Sequence, residues 1–122
     1  MRVNIWLVIA AANGALAVAV GAFAAHGLSE RLSAQALATF ETGARYHMYH
    51  ALAMGLAAIG LRGRAATRSA GLFLIGIVLF CGSLYLLALT GQRAFAFVTP
   101  VGGLAFLAGW ILLAAAAARI ER

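Results

Sequence analysis

Three long stretches without a charged side chain constrain this polypeptide more than any other feature. Residues 3–25, 69–92 and 94–118 contain no Arg, Lys, Asp or Glu. Each exceeds the roughly 20 residues that a helix rising 1.5 Å per residue needs to cross about 30 Å of hydrocarbon. No water is available there to satisfy backbone amides and carbonyls, so such runs fold as helices. A fourth run, between Arg45 and Arg62, is shorter and includes His47 and His50, but Ala51 to Leu61 carries no polar side chain. It is expected to span with Arg45 snorkelling to an interface. The expectation is an all-α polytopic membrane protein in which four transmembrane helices pack as a bundle. They fall at about residues 3–25, 44–61, 70–90 and 100–118, in one transmembrane domain over 1–122.

Composition supports lipid as the main solvent. The chain of 122 residues is 65% hydrophobic and 10% charged, against about a quarter charged in soluble domains. The net charge of +6 comes from arginines, with no lysine to share it. Because they are scattered between apolar runs, nucleic acid is not an expected partner; the bilayer and its anionic headgroups are. With four crossings, one side holds Arg2, Arg62, Arg64, Arg68, Arg119 and Arg122, and the other Arg31, Arg45 and Arg93. The larger arginine share marks the cytoplasmic side, so both termini are expected in the cytoplasm of a bacterial inner membrane. Ala22-Phe23-Ala24 after an apolar run also resembles a leader-cleavage site, but the run is long and Asn13-Gly14 interrupts it. Cys81 is the lone cysteine and excludes an intrachain disulfide.

The most polar stretch lies between the first two spans. Leu28, Leu32, Leu37 and Phe40 recur about every four residues among Glu30, Arg31 and Gln35, which predicts an amphipathic interfacial helix over about 28–42. Ser33 is placed to cap a helix running from about Ala34 through Leu61. Gly91 is placed to end the third helix, and Thr99-Pro100 reads as N-cap and first residue of the fourth.

Helices in lipid associate by close packing, which small residues permit. Small residues recur at helical spacing in each span, and Gly14, Gly21, Gly55, Gly82, Gly102 and Gly109 are the expected contact points. Few polar groups accompany them. His26, Glu41, Arg45, His47 and His50 form a candidate functional cluster, with Glu41 and Arg45 spaced for an ion pair and both histidines on the opposite face. Asn13, Ser83 and Tyr85 are further polar groups inside the spans, expected to hydrogen-bond across helices. The histidines have three readings: hydrogen-bonded structure, a proton- or ion-linked path, or a haem or soft-metal site using Met54 or Cys81. No HExxH and no Cys-x-x-Cys is present, so neither a metal nor a cofactor is assigned.

Gly21-Ala22-Phe23-Ala24-Ala25-His26-Gly27-Leu28 resembles the Gly-Ala-Phe-Gly-Ala-His-Gly-Leu run of the domain-of-unknown-function family 423, small inner-membrane proteins with mitochondrial and animal relatives. Phe40-Glu41-Thr42-Gly43 with Tyr46 and His50, Gly82-Ser83-Leu84-Tyr85, Thr99-Pro100 with Gly102-Gly103, and Gly109-Trp110 extend the resemblance along the chain. Ala24 departs from the family's usual glycine. The resemblance implies a four-span membrane protein and brings no catalytic residue. With no nucleophile–base pair and no phosphate-binding loop visible, the expected function is non-enzymatic, through helix packing and assembly with itself or a larger membrane complex. An oligomeric transporter or channel, or an accessory protein binding haem, copper or quinone, are the alternatives.

Overall fold

The computed structural model describes residues 2–119 and is all-helical. Four helices follow one another: α1 (Ile5–Leu28), α2 (Ala34–Gly60), α3 (Gly63–Thr90) and α4 (Thr99–Ala118). α1 ends in a π-turn, Ala24–Leu28, and a second π-turn, Ile77–Cys81, interrupts α3. A 3₁₀ turn, Arg93–Phe97, leads into α4.

The helix ends follow local chemistry. Asn4 Oδ1 accepts from the Leu7 amide at 3.1 Å and caps α1, while its Nδ2 donates to the Ala58 carbonyl at 3.0 Å. One side chain thereby starts the first helix and ties it to the end of the second. Ser33 Oγ accepts from the Ala36 amide at 3.1 Å, the cap expected from the sequence. Gly91 closes α3 at φ 72°, a left-handed conformation that glycine adopts without strain. The start of α4 differs from expectation: Val98 is the N-cap, Thr99 is already helical, and its hydroxyl is used elsewhere.

α1 packs chiefly on α2 and α4 chiefly on α3, with α2 and α3 pressed together between them. The larger core, including Met54, Phe73, Ile77, Cys81 and Phe106, lies among α2, α3 and α4. A smaller one, Ala24, Leu28, Phe40 and Ala88, joins the end of α1 to α2 and α3. Outward faces are apolar as well: Val18, Ile59, Leu104 and Ile111 are all exposed. A water-facing surface of that kind would aggregate, whereas lipid solvates it.

One expectation is met in part and another changes. α1, α3 and α4 have the length and apolarity to cross a membrane, while α2 is not among these long apolar helices. Its first two-thirds carry Gln35, Glu41, Arg45, His47 and His50. The polar segment also forms no helix of its own over 28–42. Residues 29–33 turn, and α2 then runs unbroken from Ala34 to Gly60 because Ser33 initiates it and no breaker follows.

A buried histidine network as candidate functional site

The two histidines of α2 are the buried polar centre. His47 is 2% and His50 5% exposed, and each ring is held by its own set of partners. His47 connects three helices: Nε2 lies 3.0 Å from Asn13 Oδ1 on α1, and Nδ1 lies 2.9 Å from Tyr85 Oη on α3. Asn13 fixes the protons. Its Nδ2 donates to the Ile9 carbonyl at 3.0 Å, so Oδ1 is the atom facing His47 and can only accept. His47 therefore donates through Nε2–H, and its bare Nδ1 accepts from the Tyr85 hydroxyl. The neutral ring satisfies every atom in this chain of bonds.

His50 takes the opposite tautomer. Trp110 Nε1–H on α4 donates to His50 Nε2 at 3.2 Å; an indole cannot accept, so that nitrogen is unprotonated. His50 Nδ1–H then donates to the Tyr46 carbonyl one turn back, at 2.8 Å. Its ring stacks on Phe106 with centroids 3.5 Å apart and planes 8° from parallel, and Phe73 packs on it at 5.7 Å. Tyr46 and Trp110 complete an aromatic enclosure. A groove of about 450 Å³ opens beside it, lined by Tyr46, Tyr49, His50, Phe80, Phe106 and Trp110, among others.

Supporting contacts explain the local sequence. Gly43 is where the Tyr85 ring sits, 2.7 Å from the position a Cβ would occupy, and Phe40 packs on the same ring at 4.8 Å. Together they aim the phenol at His47. Ser69 Oγ, fully buried, donates to the Gly109 carbonyl at 3.1 Å. Ser83 Oγ donates to the Phe80 carbonyl at 2.9 Å and accepts from Thr99 Oγ1, joining α3 to the start of α4. Among the described residues, no buried side-chain nitrogen or oxygen lacks a hydrogen-bond partner.

The candidate residues His26, Glu41, Arg45, His47 and His50 separate into exposed and buried sets, as the helical spacing of the last four predicts. His26 is exposed in the π-turn that ends α1. Arg45 donates to Thr42 Oγ1 at 3.2 Å, and no ion pair joins it to Glu41 among the described residues; both side chains are exposed, so water competes for them. His47 and His50 do not share a ligand, because each of their four ring nitrogens already has a separate partner. No group of three His, Cys, Asp or Glu able to hold a metal occurs among the described residues.

The expected packing glycines also divide. A Cβ on Gly102 would collide with the backbone nitrogen of Phe80, and one on Gly109 would lie 2.7 Å from the Phe73 ring. Around Gly14, Gly21, Gly55 and Gly82, by contrast, nothing lies within 4 Å of that position. Among the described residues, no other part of this chain closes on those four half-buried glycines. Sequence reasoning missed Gly43 and Gly76, which seat the rings of Tyr85 and Phe106. It also missed Trp110 and Ser69 as polar partners. The available signal was an N–H or hydroxyl inside an apolar run, which needs an acceptor.

Comparison with known proteins places the chain. The family described as "Protein of unknown function (DUF423)" matches residues 20–103. A UPF0382 membrane protein of Haemophilus influenzae is 47% identical over 113 residues, covering 91% of this chain and 91% of the relative. The UPF0382 inner membrane protein YgdD of Escherichia coli is 42% identical over 125 residues, 100% of this chain and 95% of that one. YwdK, a UPF0382 membrane protein of Bacillus subtilis, is 41% identical over 120 residues, with 95% and 98% covered. No solved structure matches. With its three long apolar helices and these relatives, the chain belongs to the DUF423, or UPF0382, family of membrane proteins.

Proposed function

We propose that this protein is a non-enzymatic, four-span component of the bacterial inner membrane that works by assembling, with copies of itself or within a larger membrane complex. Both termini lie on the cytoplasmic side in this reading, and the four spans form a bundle. The observation that carries it is the contrast among the glycines. Gly102 and Gly109 are consumed by contacts within the chain, whereas half-buried Gly14 and Gly21 on α1 and Gly55 on α2 leave room for another helix to approach. The buried polar groups are bonded internally, which favours a structural role for them over a reacting one. The length of α2 supports its crossing: 27 residues extend about 40 Å, enough to span with its polar first turns at an interface.

The test is the assembly state in native nanodiscs and on blue-native gels, for wild type and for Gly14→Leu with Gly21→Leu. Wild type should migrate as an oligomer or complex, and the variant should separate while keeping its thermal stability. A wild type that is monomeric in both media would sink the reading.

A second reading, an accessory protein for a lipid-soluble ring compound such as a quinone, is favoured by the aromatic groove beside His50. Tyr46 and Tyr49 are partly exposed at its edge and offer hydroxyl donors. In a Trp6→Phe background, a short-chain quinone should quench Trp110 fluorescence saturably; unsaturable quenching equal to that of free indole in micelles would remove this reading.

A further inference from the structure

We propose that the end of the molecule where α2 turns into α3 is a binding site for an anionic phospholipid carrying two phosphates. Three clefts run into one another there. The first, about 510 Å³, lies between the start of α1 and the α2–α3 corner, with Arg2 and Arg62 on its walls. The second, about 420 Å³, shares Ile59, Leu61 and Arg62 with it. The third shares Ala65 and Ala116 with the second and is bordered by Arg68 on α3 and Arg119 after α4. The result is a channel whose middle stretch is mainly apolar, with Arg2 and Arg62 towards one end and Arg68 and Arg119 at the other.

Charge complementarity selects the occupant. Arg2, Arg62, Arg68 and Arg119 line these clefts, and Arg64 is exposed nearby. The described carboxylates, Glu30 and Glu41, are remote: Glu41 lies 19 residues before the end of α2, roughly 28 Å along the helix. Like charges converging on one groove repel unless an anion lies between them, and guanidinium forks bind phosphate bidentately. Ile59, Leu61, Ala65 and Ala116 offer acyl chains an apolar wall, which a soluble phosphate would not use. Two basic ends joined by a mainly apolar channel fit a lipid with two linked phosphates better than one with a single phosphate. The walls are fixed in place: Asn4 is bonded to the Ala58 carbonyl, and Trp6 Nε1 donates to Thr67 Oγ1 at 3.1 Å. This site is independent of the assembly reading, because its groups lie on one chain.

Native mass spectrometry of the purified protein, titrated in detergent with diphosphatidylglycerol, phosphatidylglycerol or phosphatidylcholine, tests the proposal. The two-phosphate lipid should bind at least tenfold tighter than phosphatidylglycerol. Arg62→Gln with Arg68→Gln should remove that preference, while Arg31→Gln with Arg93→Gln, at the opposite end, should keep it. Equal retention of the one- and two-phosphate lipids by wild type overturns the proposal without need of a variant. So does equal loss in the opposite-end control, or displacement of the lipid by millimolar inorganic phosphate.

Discussion

Adding one methyl group at Gly102 should separate α4 from α3. A Cβ there would lie 2.7 Å from Phe80 Cα and closer still to its amide nitrogen. Ordinary carbon contacts are about 3.5–4.0 Å, so the helices must part by about 1 Å. Backbone atoms cannot rotate aside as a side chain can. A gap of that size forfeits a quarter to a half of each dispersion contact across it. For a ring such as Phe106, with about 40 contacts of 0.1–0.2 kcal/mol, the loss is roughly 1–4 kcal/mol. The interhelical bonds Ser69 to Gly109 and Thr99 to Ser83 stretch at the same time, each worth about 0.6 kcal/mol in a membrane protein. Gly102→Ala should therefore cost about 2–5 kcal/mol, offset by up to about 1 kcal/mol of helix propensity. Gly21→Ala is the matched control: nothing lies within 4 Å of its added methyl, and alanine gains up to about 1 kcal/mol of helix propensity. Reversible unfolding by SDS in mixed micelles, followed by tryptophan fluorescence, measures both. Equal midpoints for the two variants would refute the steric reasoning.

His47→Phe should destabilise by about 1–3 kcal/mol, because Asn13 and Tyr85 both lose their partner. A double-mutant cycle with Tyr85→Phe should then give a coupling of about 0.6–1.7 kcal/mol in the same unfolding assay; a coupling near zero would deny the bond. Trp110→Phe should cost about 0.6 kcal/mol and shift the His50 ring resonances in NMR, since its indole donates to that ring. Glu41→Ala should change stability by less than about 0.5 kcal/mol, as expected for an exposed carboxylate without an ion pair. Cys81 is fully buried, so a membrane-permeant maleimide should leave the folded protein unlabelled and react only after SDS denaturation.

What the sequence disclosed depended on how local the determining physics was. Long uncharged runs, the Ser33 cap and the Gly91 stop are set by neighbouring residues, and the structure places them where expected. The continuous helix from Ala34 follows from the Ser33 cap, whereas the separate interfacial helix over 28–42 does not form, because amphipathic spacing does not say where one helix becomes the next. Glycine stripes show where close approach is permitted, yet which face meets a neighbour is decided by partners far along the chain. Gly102 meets Phe80 and Gly109 meets Phe73, while Gly14 meets nothing. The histidine site was half legible. Asn13, His47 and Tyr85 stood out as polar groups in apolar surroundings, but their union, and the bond from Trp110 to a histidine 60 positions away, belong to tertiary structure.

The π-turn at Ile77–Cys81 gives α3 two angular phases. Before it, Ser69 and Phe73 address α4; after it, Tyr85 addresses α2. A wider turn holds one residue more than an α-helical turn, equivalent to about 100° of rotation. Closing 77–81 into a regular spiral with every residue kept would swing Tyr85 away from His47, whereas deleting one of them would let the spiral close with Ser69, Phe73 and Tyr85 still in phase. A one-residue deletion should thus be tolerated at 77–81 better than at 82–84, although hydropathy along the segment would barely distinguish the two.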